Sequence, residues 1–405
     1  MAYDACMAQP LILFGAFDRH NVGDLLLPHI AAALLPGREL IFAGLAARDL
    51  RAHGGHAVRA LSEVRAALGT QPVDLLHVGG EILTTTAWQA AVMLLPPEEV
   101  QAMLAYLQGQ PQEQAAWVQR MTGSAGQTPY VADRTHWPAL QRVLYAGVGG
   151  VQLAQSEPAL RAKVLAKLRT ANAVGVRDMQ TQHTLQAAGI ATTLLPDPAV
   201  LVAELFGERI AQHGAQGEAA PLRLAFPHGF LAVQCSAEFG DDATLDTLAT
   251  QLKQVAAANG LGLLLLRAGA APWHDDLGVL QRLAARLPPA TVRVAESLNI
   301  WDICALIAHS RGYCGSSLHG RIVAMAYALP RINLRPPASP QQAAKQAAFA
   351  ATWDDANVPA TVDVQQLAGA MQQALALPSR ALQDTADRLA AQYRRGFEAL
   401  RAQLA

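Results

Sequence analysis

Short apolar runs that end in glycine-rich or polar turns, and then feed helical patterns, recur along this chain. Leu11–Phe14 leads through GAFDRHNVGD into a helix from about Leu25 to Leu35. Asp74–Val78 leads to Gly-Gly-Glu, Arg142–Ala146 to GVGG, and Ala173–Val176 to RDMQTQHTLQAAG, whose apolar spacing suits a helix closed by Gly189. Runs this short and this uniformly apolar are strands buried on both faces. Alternation of such strands with helices marks an α/β fold with a largely parallel sheet.

The alternation is interrupted once. Glu204 to Pro221 is rich in small and polar residues. It reads as a boundary, with residues 1–205 forming one α/β domain and 206–221 a linker. A second α/β domain is expected over 222–378. It should have strands at Leu222–Phe226, Leu261–Leu266, Thr291–Val294, Gly312–Cys314 and Arg331–Leu334, and helices over Ala243–Asn259, Asp275–Leu287 and Ile300–His309. From about Arg380 onward Leu382, Leu389, Tyr393, Phe397 and Leu400 fall near one helical face, so residues 379–405 form a long amphipathic helix. The expected fold class is α/β, two Rossmann-like domains facing a cleft. In such sheets ligands bind over the carboxyl ends of the strands.

Composition excludes several classes. The 405 residues exceed one ordinary core and suit two domains. A formal net charge of −1 offers no global field for nucleic acid or an anionic membrane. Cys6, Cys235, Cys304 and Cys314 make no CxxC pair, so neither a zinc site nor a disulfide framework is expected, and no metal is assigned. The aliphatic runs are too short to span a bilayer, and the first residues lack a basic segment before their apolar run. A cytoplasmic protein is expected, with work at the inner face of the membrane left open.

The chemistry-bearing residues lie at the predicted strand ends. In HNVGD, Asn21, Gly23 and Asp24 combine a close backbone approach with polar handles, and Asp24 also suits a helix cap. Gly79 and Gly80 form a tight turn or an anion nest before Glu81. In GVRD, Arg177 either points at an anion or pairs on the surface with Asp178, which also suits a helix cap. Asp197 of LPDPAV reads as a turn residue before proline. In GSSLHGRIVAMAYALP, Ile322, Val323, Met325, Ala326 and Leu329 give one apolar face and Pro330 stops the helix. Ser317, His319, Gly320 and Arg321 then lie around its first turn. That end of a helix favours an anion, and an imidazole there can exchange protons near neutral pH. Lys345 of PQQAAKQAAF is a solvated charge or a second cation for a ligand.

Taken in order, these motifs resemble the polysaccharide pyruvyltransferase family from Phe14 to Phe349. GVRDMQTQHTLQAAGI and GSSLHGRIVAMAYALP carry most of the likeness. The resemblance implies a fold similar to GT-B glycosyltransferases, the N-terminal domain holding the acceptor, the C-terminal domain phosphoenolpyruvate, and the last helix crossing back. It implies transfer of a pyruvyl group from phosphoenolpyruvate to a sugar of a surface polysaccharide or lipid-linked precursor, closing a ketal with no cofactor or metal. His319 would be the acid. Arg177, Gly320 and Arg321 would bind anionic groups, with Lys345 a further cation. Asp24 would orient or deprotonate the acceptor. Thr84 to Pro138, with the N-terminal loops, would read the sugar.

The chain departs from the family at Ser317, where many members carry arginine, at Glu81, where a third glycine is usual, and at His228, where arginine often stands. Two other readings stay open. One is a GT-B glycosyltransferase using a nucleotide sugar, although no acidic ribose motif is evident beyond Glu296. The other is a relative that binds a glycan or partner without catalysis, which the missing cations would suit.

Overall fold

A computed structural model describes residues 9–135, 137–337 and 344–404. Cys6 and the Pro340–Ala343 part of the lysine motif lie outside them. The N-terminal sheet contains β1 (Leu11–Phe14), β2 (Leu40–Gly44), β3 (Arg48–Asp49), β4 (Ala57–Ala60), β5 (Val73–His77), β6 (Leu140–Val148), β7 (Ala173–Val176) and β8 (Thr193–Leu194). Its order is β3-β4-β2-β1-β5-β6-β7-β8. Pairing is parallel except between β3 and β4. β1 is central, paired on both sides by β2 and β5, and its LILF is wholly buried.

The second sheet contains β9 (Phe230–Gln234), β10 (Gly262–Leu265), β11 (Val292–Val294), β12 (Gly312–Gly315), β13 (Arg331–Leu334) and β14 (Thr361–Val362). Its order is β11-β10-β9-β12-β13-β14 and every pair is parallel. Two expectations change here. Leu222–Phe226 is no strand: Ala219–Leu224 is helical, and the first strand of this sheet begins at Phe230. The expected linker is not an open tether either, because Val202–Gly214 is a helix. Its Phe206 ring packs 5.2 Å from Trp301 and the Arg209 guanidinium lies 4.7 Å over the same indole. Glu208, Gln212 and Gln216 face outward, while Leu205, Phe206 and Ile210 pack inward.

One apolar core joins the domains. Leu11, Leu26 and Ile30 from the first, and Phe230, Ile303 and Met325 from the second, belong to the same packed cluster. The outer face of each sheet has its own core. The Ser379–Arg401 helix sends Leu389, Tyr393, Phe397 and Leu400 into the shared core, and the Leu404 carbonyl beyond it accepts from Arg38 Nη1 at 2.7 Å. Polar struts fix the sheets above this core. Val22 N–H donates to Ala268 O at 2.8 Å, and Trp353 Nε1 donates to Arg177 O at 2.7 Å. Among the described residues no helix is long and apolar enough to cross a membrane.

Candidate active site

The carboxyl ends of the two sheets face each other across a cleft of about 620 Å³. The loop after β1 contributes Arg19, Asn21 and Asp24, and the loop after β5 contributes Glu81. Arg177 follows β7. From the second domain come Gln234 after β9, Ala268–Gly269 and Trp273–Asp275 after β10, Ser316–His319 after β12, and Lys345.

His319 occupies the first turn of the Leu318–Ala326 helix. Ser317 caps that helix, its Oγ accepting from Gly320 N–H at 3.2 Å. The imidazole packs against Gly23 of the opposite domain, where a Cβ would come within 1.9 Å of Nδ1. Gly23 is therefore required by contact, not by its dihedral angles. His319 Nε2 is buried without a hydrogen-bond partner among the described residues and stands 3.4 Å from Asp197 Oδ2.

Asp197 and Arg177 build the wall behind the histidine. Arg177 Nη1 donates to Asp197 Oδ2 at 2.8 Å, and Nη2 donates to Glu81 Oε2 at 2.8 Å. Burial pulls the Arg177 pKa down, but the Glu81 and Asp197 carboxylates outweigh it and hold the guanidinium charged. Asp197 is fully buried and its Oδ1 accepts from Ala199 N–H at 3.0 Å. Burial pushes its carboxyl up, yet His319, Arg177 and the Ala199 N–H together keep it below the usual carboxylate range. Glu81 Oε1 also accepts from Val151 N–H at 3.0 Å. The GVGG turn makes room for this pair, since a Cβ on Gly149 would lie 2.2 Å from Glu81 Oε2.

The other expected residues divide between the cleft and the interior. Asn21 caps the Val22–Ala33 helix through Gly23 N–H at 3.0 Å, so Asp24 is free of the capping role and lines the cleft, 3.9 Å from Arg19. Asp178 does cap the helix after β7, accepting from Thr181 N–H at 2.7 Å. Ser317 and Lys345 line the cleft, and Lys345 is exposed there. Arg321 requires correction. It is fully buried on the far side of its helix, donating to Asp354 Oδ2 from Nε at 3.1 Å and Nη2 at 2.6 Å, and to the carbonyls of Ala360 and Pro359. Helical spacing turns it about 100° per residue from His319. Gly320 is likewise buried, set against Tyr313, whose Oη would lie 2.2 Å from a Cβ there. Gly79 and Gly80 do not line the cleft. Their φ values of 119° and 90° shape the turn that presents Glu81.

Sequence reasoning missed several groups. Arg19 is buried beneath the cleft, Nη1 donating to the Tyr130 hydroxyl. Burial lowers its pKa, but Tyr130, Asp24 and Asp18 more than reverse that. Gln234 ends β9. Its Oε1 accepts from Ser317 N–H at 2.7 Å and its Nε2 donates to Asp275 Oδ1 at 2.7 Å. Burial pushes Asp275 up to about 7, against N–H donors from Ala268, Gln234 and Gly269. Asp197 was visible as LPDPAV, but only as a turn. Arg19 sat one residue before the motif, and Gln234 lay behind the misplaced strand.

The site thus combines a cleft-facing imidazole backed by an ionised carboxylate, a helix N-terminus, and the cations Arg19 and Lys345. That set suits proton transfer next to an anionic ligand. No curated protein matches the sequence. Among solved structures, UDP-GlcNAc 2-epimerase from Neisseria meningitidis is similar at 11% identity and a TM-score of 0.52, over 97% of this chain and 99% of that one. The Rickettsia bellii enzyme of the same name gives 10% identity and a TM-score of 0.54, over 98% and 97%. At these identities the likeness establishes the two-domain fold alone. Residues 146–336, from the end of β6 past the histidine helix to the strand beyond it, match the polysaccharide pyruvyl transferase family.

Proposed function

We propose that this chain transfers a pyruvyl group from phosphoenolpyruvate to two hydroxyls of one sugar, releasing phosphate and leaving a ketal. The observation that carries the reading is the Arg177–Asp197–His319 series. Its imidazole lines the cleft, with a carboxylate 3.4 Å from its Nε2. A buried carboxylate in that position orients the ring and stabilises its protonated form.

His319 gives its proton to the methylene carbon of phosphoenolpyruvate, and positive charge develops at the adjacent carbon. A sugar hydroxyl adds there and its proton returns to the histidine. The second hydroxyl then displaces phosphate, which carries off the remaining proton. The donor's negative charge is met by Arg19, Lys345 and the free N–H groups of the Leu318–Ala326 helix. Arg177 acts through Asp197 and Glu81 and not by open contact, so it positions the acid. Asp24 is assigned to the acceptor, and Thr84 and Thr85 line the same cleft. A lipid-linked acceptor at the inner membrane face is compatible with described residues that include no helix long and apolar enough to cross a membrane, and the proposed chemistry uses no metal or cofactor.

The test is phosphate release from phosphoenolpyruvate with a panel of sugar acceptors, followed by mass analysis of the product. His319→Ala should abolish release, and chelation of metals should leave it intact. Full turnover in His319→Ala would refute the assignment. Thermal stabilisation by UDP-GlcNAc, with none by phosphoenolpyruvate, would instead favour a nucleotide-sugar enzyme.

A further inference from the structure

Trp273 is a cleft residue that the proposed chemistry leaves unused. Its backbone lies in the left-handed region at φ 63°, where a bulky side chain is rare. The residue is 50% exposed and lines the cleft. The strain does not reflect a loose loop. Asp275 Oδ2 accepts from Ala268 N–H at 2.6 Å, His274 N–H donates to Ala271 O at 3.1 Å, and Ala237 N–H donates to His274 O at 2.9 Å. From the opposite domain, the His20 carbonyl accepts from Ala270 and Ala271 N–H at 3.2 Å. A rigid, doubly anchored loop thus holds one large apolar ring in an unfavourable backbone state and covers only half of it. Glycine at this position would relieve both costs. Surrounding structure that imposes such a state points to a ligand contact.

The ring also has suitable neighbours. His274 beside it senses the charges of Arg19, Lys345 and Asp24, so the loop borders the same charged floor as His319. Glu238 lines the same cleft.

We propose that Trp273 is the stacking platform for the acceptor, taking the apolar C–H face of a pyranose ring while Asp24, His274 and Glu238 meet its hydroxyl rim. The inference rests on the pyruvyl-transfer reading for the word acceptor, but sugar binding can be measured without turnover. The probes are methyl β-D-glucopyranoside, methyl β-D-galactopyranoside and methyl β-D-mannopyranoside, titrated by saturation-transfer NMR against wild type, Trp273→Gly and Trp273→Phe. At least one glycoside should bind wild type, bind Trp273→Gly about tenfold more weakly, and largely retain affinity for Trp273→Phe. Trp273→Gly should unfold at the same or a higher urea concentration. Three outcomes would overturn the platform: no binding of any probe to wild type, equal binding by Trp273→Gly, or a marked loss of stability in Trp273→Gly, which would make the indole a packing residue. Calorimetry with phosphoenolpyruvate separates the two ideas. Tryptophan-dependent sugar binding without phosphoenolpyruvate binding would sink pyruvyl transfer and leave the platform standing. Phosphoenolpyruvate binding with tryptophan-independent sugar binding would sink only the platform.

Discussion

Replacing Asp197 by asparagine separates structure from chemistry at the centre of the site. The carboxylate is fully buried, 2.8 Å from Arg177 Nη1 and 3.4 Å from His319 Nε2. Breaking a buried ion pair from one side costs about 3–5 kcal/mol. Two features reduce that here. Arg177 keeps Glu81 at 2.8 Å, and asparagine retains an oxygen for the Ala199 N–H. A loss of about 2 kcal/mol follows, or about 4–8 °C in Tm for domains of this size. Catalysis should suffer more, because the imidazole loses the anion that orients it, and a fall in kcat of about a hundredfold or more is expected.

The pH dependence has a definite sign. The Asp197 carboxyl titrates below its unfolded value when folded, so its contribution is complete above the ordinary aspartate range near ~4 and disappears as pH falls through the folded pKa. The Tm gap between wild type and Asp197→Asn should therefore be constant from neutral pH down to about 5 and close below about 4. Thermal unfolding across that range and phosphate release at neutral pH measure both effects. Equal Tm values at neutral pH, or a gap indifferent to acid, would refute the ion-pair reasoning whatever the fate of the chemistry.

Gly23→Ala should cost most of the activity in a folded protein, because the new methyl would overlap the His319 ring at 1.9 Å; circular dichroism and phosphate release together check it. Asp354→Ala leaves the buried guanidinium groups of Arg321 and Arg331 without their shared carboxylate, and should destabilise by at least about 3–5 kcal/mol, seen as lost soluble yield or a collapsed Tm. Acid should weaken the fold above the carboxylate range as well. Burial lowers His20 and His29 to about 4, so each contributes stability that is complete above the unfolded histidine pKa near ~6.5 and is lost as pH falls toward 4, at most about 3 kcal/mol apiece. Tm values that stay level from neutral pH to about 4.5 would contradict that.

The parts of the fold legible in the sequence are those that periodicity controls. LILF, GLLL and the Ile300–His309 helix were readable because a strand buried on both faces must be apolar throughout, and because a core-facing helix must repeat near 3.6 residues. Leu222–Phe226 failed for the same reason: five mixed residues fit either state, and here Ala219–Leu224 packs as a helix against the Val202–Gly214 and Ile300–Ala308 helices. The site was legible only where a motif carries its own geometry. Ser317 and His319 are fixed by the start of one helix. Arg177, by contrast, finds its partners 20 and 96 residues away in Asp197 and Glu81, and Arg321 finds its partner 33 residues away in Asp354. No spacing rule covers such distances, so two arginines following similar strand ends received the same expected role and took opposite ones.

Glu81 shows what this changes. As a substitute for a third glycine it looked like a lost anion nest. In the fold it holds Arg177 in place, and its charge offsets the cation that the motif would otherwise present to a donor. Arg177 is matched by Glu81 and Asp197, and Arg19 is flanked by Asp18 at 3.7 Å and Asp24 at 3.9 Å. A doubly charged donor would therefore rest most on Lys345 and on the N–H groups at the start of the Leu318–Ala326 helix, with Arg19 contributing only what Asp18 and Asp24 leave. Lys345→Ala should therefore weaken phosphoenolpyruvate binding by about tenfold or more, and unchanged affinity by calorimetry would reveal a donor site anchored elsewhere.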